Sequence, residues 1–309
     1  MSRSRANFVL TLVAIIWGSA FVAQSQGMAN MGPMAFTGVR FLVGALVVVP
    51  LMGFEWARLQ RAATPLRASD VFQVVGLGLL LLMGAAMQQI GITGTTVTSA
   101  GFLTALYVPL VPVLGWLIMR QLPHWSVWPG AFACLVGAYL LSGAQGLSFS
   151  TGDLWIIGST IPWALHVLVI GRVADRMGAP FLVACGQFAV CGALALVWAL
   201  LYEPISWVGL QAAIGPLAYT GVLSVGVAYT AQVVAQRYTH ASDAAIVLST
   251  ETLFAALFGF YFTGDRLDAA GVVGCCLIFI SLMGVQLLPI LKRTPAPVLI
   301  RVASDDKSS

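Results

Sequence analysis

Charge is scarce in this chain. Only 8% of its 309 residues are Asp, Glu, Lys or Arg, against about 25% in a soluble domain, so a soluble globular fold is excluded by composition. Histidine is scarcer still: His124, His166 and His240 fall in three different segments, and no His-Glu-x-x-His pair occurs. An intramembrane metalloenzyme therefore lacks its ligands. No phosphate-binding loop ending in Gly-Lys-Ser/Thr is present, so ATP is not expected to drive the protein. The five cysteines (Cys134, Cys185, Cys191, Cys275 and Cys276) all lie inside apolar runs without zinc-site spacing, and they read as small packing residues. The net charge of +4 is spread as single cations between apolar runs, which is not the footprint of a nucleic-acid binder. No cofactor, metal or nucleic acid is expected.

What the chain does contain is apolar length: 59% of it is hydrophobic. A helix crosses the hydrocarbon core in about 20 residues. Ten runs suit that length, at roughly 7–26, 34–54, 70–90, 97–119, 126–143, 153–172, 180–201, 210–231, 241–262 and 269–290. Short Gly-, Pro-, Ser- and Thr-rich connections link them, as in antiparallel helices. The expected fold is an all-α polytopic membrane protein with the lipid bilayer as its solvent. The first run follows Ser2-Arg3-Ser4-Arg5 and is read as a retained span rather than a cleaved signal. The tail 292–309 is polar and reads as disordered.

The loop cations fix an orientation. With the N-terminus in the cytoplasm, Arg3, Arg5, Arg58, Arg61, Arg67, Arg120, Arg172, Arg176, Arg237, Lys292, Arg293, Arg301 and Lys307 fall inside. Only Arg266 falls outside, and Arg40 lies within the second span. That bias obeys the positive-inside rule for ten spans with both termini cytoplasmic.

The chain repeats itself after about 145 residues. Trp17 corresponds to Trp163, Gly32-Pro33 to Gly178-Ala179-Pro180, and Gln89 and Ser99 to Gln232 and Ser242. The halves are read as 1–146 and 147–291. Five spans per half put the second half into the membrane upside down. Inverted repeats recur in secondary transporters, with the binding site near the midplane between them.

The candidate site residues are those that break the apolar pattern. Glu251 is the one acidic residue deep inside an apolar run. A carboxylate there costs roughly 2.5–3.5 kcal/mol on insertion scales, so it marks a pathway, a substrate anchor or a hydrogen-bonded structural group. Thr250, Thr252, Gln232 and Gln236 stand near enough in sequence to serve as its partners. Arg40 either snorkels to the outer headgroups or faces inward, where it would bind a carboxylate, brace a helix or pair with Glu251. His166 lies one turn from Trp163 on the same face and reads as a packing residue before a proton relay. Trp17, Trp163, Tyr107 and Tyr229 are aromatic candidates for a cavity wall, joined by Gln89 and Gln232. Trp125, Trp128, Trp155, Trp198 and Trp207 lie near span ends and read as interfacial anchors. Pro109 and Pro112, Pro162 and Pro216 interrupt spans four, six and eight as kinks or hinges. Gly130, Cys134, Ala138 and Ser142 form a small-residue ridge suited to close packing of span five.

Trp17-Gly18-Ser19-Ala20-Phe21-Val22, Arg40-Phe41, Thr98-Ser99-Ala100-Gly101 and Glu251-Thr252-Leu253-Phe254-Ala255-Ala256-Leu257-Phe258-Gly259 resemble the EamA-type drug/metabolite transporter superfamily. The chain looks most like its YddG-type exporters of aromatic and other amino acids. The resemblance implies two inverted five-helix repeats, a central cavity lined by spans one to four and six to nine, and spans five and ten packed outside. It places Trp17 and Trp163 in the cavity wall and Glu251 in a recurring motif. It further implies alternating-access export of small-molecule substrates, amino acids above all, from a bacterial inner membrane, with no enzymatic activity. Efflux of organic cations with Glu251 as counter-charge is the alternative, and a passive channel a more distant one. Thr252 departs from the pattern, which has proline after the glutamate. Gly264-Asp265-Arg266-Leu267 keeps the usual glycine–acid pattern, whereas Arg120-Gln121-Leu122-Pro123 does not.

Overall fold

In lipid every backbone polar group needs a partner within the protein. The computed structural model, which describes residues 1–62, 66–120, 125–141, 149–239 and 241–291, meets this with helices alone: no strand occurs among the described residues. The helices are α1 (Arg3–Met28), α2 (Pro33–Arg61), α3 (Ala68–Ile92), α4 (Val97–Thr104 and Tyr107–Met119), α5 (Val127–Leu141), α6 (Thr151–Met177), α7 (Pro180–Tyr202), α8 (Ile214–Tyr238), α9 (Ala241–Ser249 and Glu251–Phe258) and α10 (Ala269–Leu291). A short turn of helix, Trp207–Ala212, leads into α8. Each expected apolar run falls on one of these segments. Seven of them, α1 to α4 and α6 to α8, are long and apolar enough to cross a membrane, and three shorter apolar helices occupy α5, α9 and α10. His124, His240, Ser142, the junction between the proposed halves and the tail 292–309 lie outside the described residues.

The helix ends follow from local sequence. Ser150 opens α6, its hydroxyl accepting the Asp153 N–H while Asp153 accepts the Ser150 N–H, a reciprocal cap that satisfies two orphan donors. Gly178 closes α6 at φ 62°, a left-handed stop that a side chain would strain. Proline opens both α2 and α7 at the position where a missing N–H costs nothing.

α2 and α7 form the central antiparallel pair. Gly38 sits where a Cβ would come within 2.8 Å of the Leu196 nitrogen, and at Gly192 the same atom would meet Leu42 N at 2.8 Å. The two backbones therefore touch where side chains would hold them apart. The pair is locked at both ends. Glu203, just past α7, accepts the N–H groups of Met34 (2.9 Å) and Ala35 (2.7 Å) in the first turn of α2. Glu55, near the end of α2, accepts the N–H of Leu182 (2.8 Å) in the first turn of α7. Each helix caps the other.

α5 and α10 pack against each other with large residues such as Phe132, Leu135, Val273 and Ile280 turned outward and exposed. Cys134 and Ala138 of the small-residue ridge are buried. The backbones approach closely at Gly137 and Gly274, where a Cβ on Gly274 would lie 2.6 Å from the Gly137 carbonyl oxygen. Trp125, Trp128, Trp155, Trp198 and Trp207 are all well exposed.

The reciprocal caps make a stability prediction. Glu203→Ala orphans two donors at a helix N-terminus and removes a favourable charge there, a loss of about 1–2 kcal/mol. Glu55→Ala is expected to cost a similar amount. Because the sites lie at opposite ends of the pair, the double variant should lose the sum. Thermal unfolding in detergent checks this, and an unshifted midpoint for Glu203→Ala would remove the cap from the account.

Candidate functional site

The site is built from broken helices. Pro109 offers no N–H to the Ala105 carbonyl one turn back. Val108 takes that carbonyl instead (2.9 Å), and α4 breaks at Ala105–Leu106. α9 breaks at Thr250 without a proline. There the Thr250 hydroxyl donates to the Val247 carbonyl (2.6 Å) and the Thr252 hydroxyl to the Ser249 carbonyl (2.9 Å). The break asked of a proline at position 252 is thus supplied by hydroxyls. It leaves Glu251 as the first residue of a helical piece, where the helix dipole favours an anion. α8 runs as a π-helix over Tyr219–Tyr229, a wide winding that recurs at functional sites. Within it the Ser224 carbonyl accepts the Trp17 indole N–H (3.3 Å).

α9 is clamped between two glycines. A Cβ on Gly18 of α1 would lie 2.8 Å from the Glu251 carbonyl and 2.9 Å from Ala255 N. One on Gly101 of α4 would lie 2.5 Å from the Ala255 Cβ. Beyond the clamp, Asp265 accepts from both the N–H and the hydroxyl of Thr98 (2.8 Å each), capping α4. The separate sequence motifs of α1, α4 and α9 therefore meet in one place.

Inside this frame the broken helices leave a cavity. Trp17, Tyr107, Trp163, His166, Tyr229, Gln232, Arg40 and Glu251 all line it. Tyr229 is the hub of its aromatic wall, with ring centroids 4.4 Å from Trp17, 6.0 Å from Phe41 and 6.1 Å from both Trp163 and Phe188. The Trp163 ring stacks on Tyr229 at an interplanar angle of 22°. Its indole also lies against Gly84 of α3, where a Cβ would be only 2.9 Å from two ring carbons.

The two charges share the cavity without pairing. Arg40 is only 4% exposed and so does not snorkel. Its Nη1 donates to Gln24 Oε1 (2.6 Å), and its guanidinium lies 5.0 Å from the Phe41 ring centroid, within cation–π range. Its Nε has no partner among the described residues. Glu251 is also 4% exposed. Among the described residues its carboxylate has no hydrogen-bond partner and forms no ion pair with Arg40. Thr250 and Thr252 are turned to backbone carbonyls, and Gln236 to the Val167 carbonyl (3.3 Å), so none of the three neutralises it.

His166 is fully buried, with Nε2 2.8 Å from Gln187 Oε1. Gln89 does not line the cavity: it is buried behind it, with neither amide atom partnered among the described residues. The neighbouring Gln88 lines it instead and donates to Thr104 (3.0 Å). Adjacent residues point about 100° apart around a helix, so the two amides face in different directions. Gln24, Thr104 and Ser224 are further lining residues that the sequence reading missed. Gln24 carries a signal, since it lies seven residues from Trp17 and hence two turns along the same face.

Gln24→Leu removes the hydrogen bond that the buried guanidinium makes among the described residues. Bonds to charged groups contribute about 1.5–3 kcal/mol, and unfolding in detergent should show a loss of that size. Gln24→Glu is expected to restore it.

The chain resembles known proteins along most of its length. The sequence pattern of the EamA-like transporter family matches residues 4–143 and again 150–287. An uncharacterized transporter of Archaeoglobus fulgidus is 30% identical over 93% of this chain and 87% of its own. The uncharacterized transporter YwfM of Bacillus subtilis is 24% identical over 93% and 95%. A solved crystal structure at 19% identity superposes with a TM-score of 0.69, covering 95% of this chain and all of the other, which shows a shared fold.

Proposed function

Because the chain belongs to the EamA-like transporter family, we propose that it exports amino acids, aromatic ones among them, and related small metabolites by alternating access. In this reading it crosses a bacterial inner membrane ten times as two inverted five-helix halves, 1–146 and 147–291, with both termini cytoplasmic, in the manner of YddG-type exporters. The seven long and three shorter apolar helices support the span count. The orientation is supported by the way Arg58, Arg176 and Arg237 gather at one end of the bundle. They bond there to the Gly178 carbonyl, Asp70 and Asp175.

The observation that carries the substrate class is the unpaired cation and anion of one cavity. Arg40 offers a free donor to a carboxylate, and Glu251 offers an acceptor to an ammonium. An α-amino acid carries both groups, and the Trp17–Tyr229–Trp163 wall offers its side chain an aromatic face. The cavity leaves about 50 Å³ for the centres of water-sized molecules, where one water needs roughly 10–15 Å³. A bound amino acid therefore has to part the walls, which fits a site that opens to each side in turn. The guanidinium in the same space works against a purely cationic cargo.

Counterflow in proteoliposomes against the common amino acids, with and without an imposed pH gradient, tests the proposal. Saturable exchange is expected, strongest for aromatic substrates. Arg40→Leu and Glu251→Gln should each reduce it by at least about tenfold, the share of one charge-assisted bond. Wild-type exchange in both variants would remove the zwitterion site. Competition by organic cations but not by amino acids would replace the cargo with the cationic one.

A further inference from the structure

The cavity is not the only space along the transport axis. A second pocket, of about 200 Å³, lies at the end of the bundle where the cations gather, between the ends of α6 and α8 and the start of α9. Val167 lines both spaces, so a single residue's thickness separates them. Gln236 completes the partition. It lies one turn beyond the cavity amide Gln232, and its Nε2 donates to the Val167 carbonyl at 3.3 Å. At the same level a Cβ on Gly171 would come within 2.9 Å of the Gln236 carbonyl oxygen. α6 and α8 thus touch backbone to backbone, with the Asp175–Arg237 ion pair at the rim and the Gln236 amide hydrogen bond at the cavity.

That bond is suited to opening. It is long and neutral, a kind worth little net stability. The Val167 carbonyl lies inside α6, where a second acceptor bond is an addition to the helix rather than a requirement. On release the amide of Gln236 turns to a polar space. The side-chain oxygens of Gln236 and Thr239 are already buried without partners among the described residues. Asp175 and Arg237 meet 3.6 Å apart on the rim. A chamber with both signs of charge and free amide and hydroxyl oxygens suits a zwitterion in transit.

We infer that this pocket is the cytoplasmic antechamber of the carrier and that the Gln236–Val167 contact is its inner gate. The inference rests on the carrier reading and on the cytoplasmic assignment of this end.

Reporter cysteines test it in the full-length protein in inside-out vesicles. Cys276, the exposed one of the described cysteines, is first replaced by serine. A membrane-impermeant thiol reagent then probes Thr239→Cys in the antechamber and Val167→Cys at the gate. Thr239→Cys should label quickly and Val167→Cys slowly. Adding Gln236→Ala is expected to speed Val167→Cys labelling about fivefold relative to Thr239→Cys, the ratio of one lost neutral hydrogen bond. Gly171→Ala pries at the same seam from α6 and should act in the same direction, so misfolding of either variant does not decide the matter. Labelling of Val167→Cys that neither substitution changes, or that matches Thr239→Cys with Gln236 intact, overturns the gate. Amino-acid counterflow in the same vesicles separates the two readings: its absence beside the expected labelling pattern sinks the cargo and leaves the gate.

Discussion

The cavity depends on how closely α9 is held between α1 and α4. Gly18 and Gly101 leave no room for a side chain on either flank, and Ala255 fills the space between them. Without a hydrophobic force between helices in lipid, such small-residue contact is what holds a bundle together. The clamp fixes the height and rotation of the second piece of α9, and so the place where the Glu251 carboxylate emerges. The Asp265 cap on Thr98 fastens the far end of the same unit. A sequence motif centred on a glutamate is therefore mostly a packing motif, with the carboxylate as the group that the packing presents.

That presentation explains why two opposite charges coexist without joining. An ion pair deep in a membrane gains attraction but uses up both groups, and its desolvation offsets much of the gain. Here Arg40 is steadied by neutral partners, the Gln24 amide and the Phe41 ring. These leave its charge uncompensated. Glu251 is steadied by its place at a helix start. In the proposed reading, both groups keep unspent interaction energy for a solute that carries the complementary pair, which is what preorganisation means in a binding site.

Much of this was legible in the chain, because the bilayer enforces simple rules. Apolar run lengths located the ten main helical segments among the described residues, but not the short turn Trp207–Ala212. The residues that violate the apolar pattern, Arg40, His166, Gln232 and Glu251, came together in one cavity with the deep aromatics. What sequence could not supply was rotation about each helix axis. Gln88 and Gln89 are equally polar, and only packing against α4 and α6 decides which one faces inward. Arg40 posed the same question, since a long side chain six residues from a helix start reaches either headgroups or interior. The π-winding of α8 and the hydroxyl-made break in α9 were also hidden. Each arises from where backbone carbonyls find partners, and Thr250 and Thr252 read from sequence as partners of Glu251 rather than as donors to the carbonyls of Val247 and Ser249.

The reciprocal caps of α2 and α7 bear on how such a cavity can alternate. Glu203 and Glu55 tie the two helices at opposite ends, and Gly38 with Gly192 joins them between. Three attachment zones, one at each end and one where Gly38 meets Gly192, hold the antiparallel pair together. The seams across the cavity are of another kind. α6 meets α8 through a long amide bond at Val167 and an ion pair at Asp175–Arg237 on the rim, while α4 and α9 are already broken beside the cavity. Motion concentrates where interactions are few and backbone bonding is already interrupted. The breaks in α4 and α9 and the π-winding of α8 lie next to Arg40 and Glu251, where, in the proposed reading, a bound zwitterion would bias them.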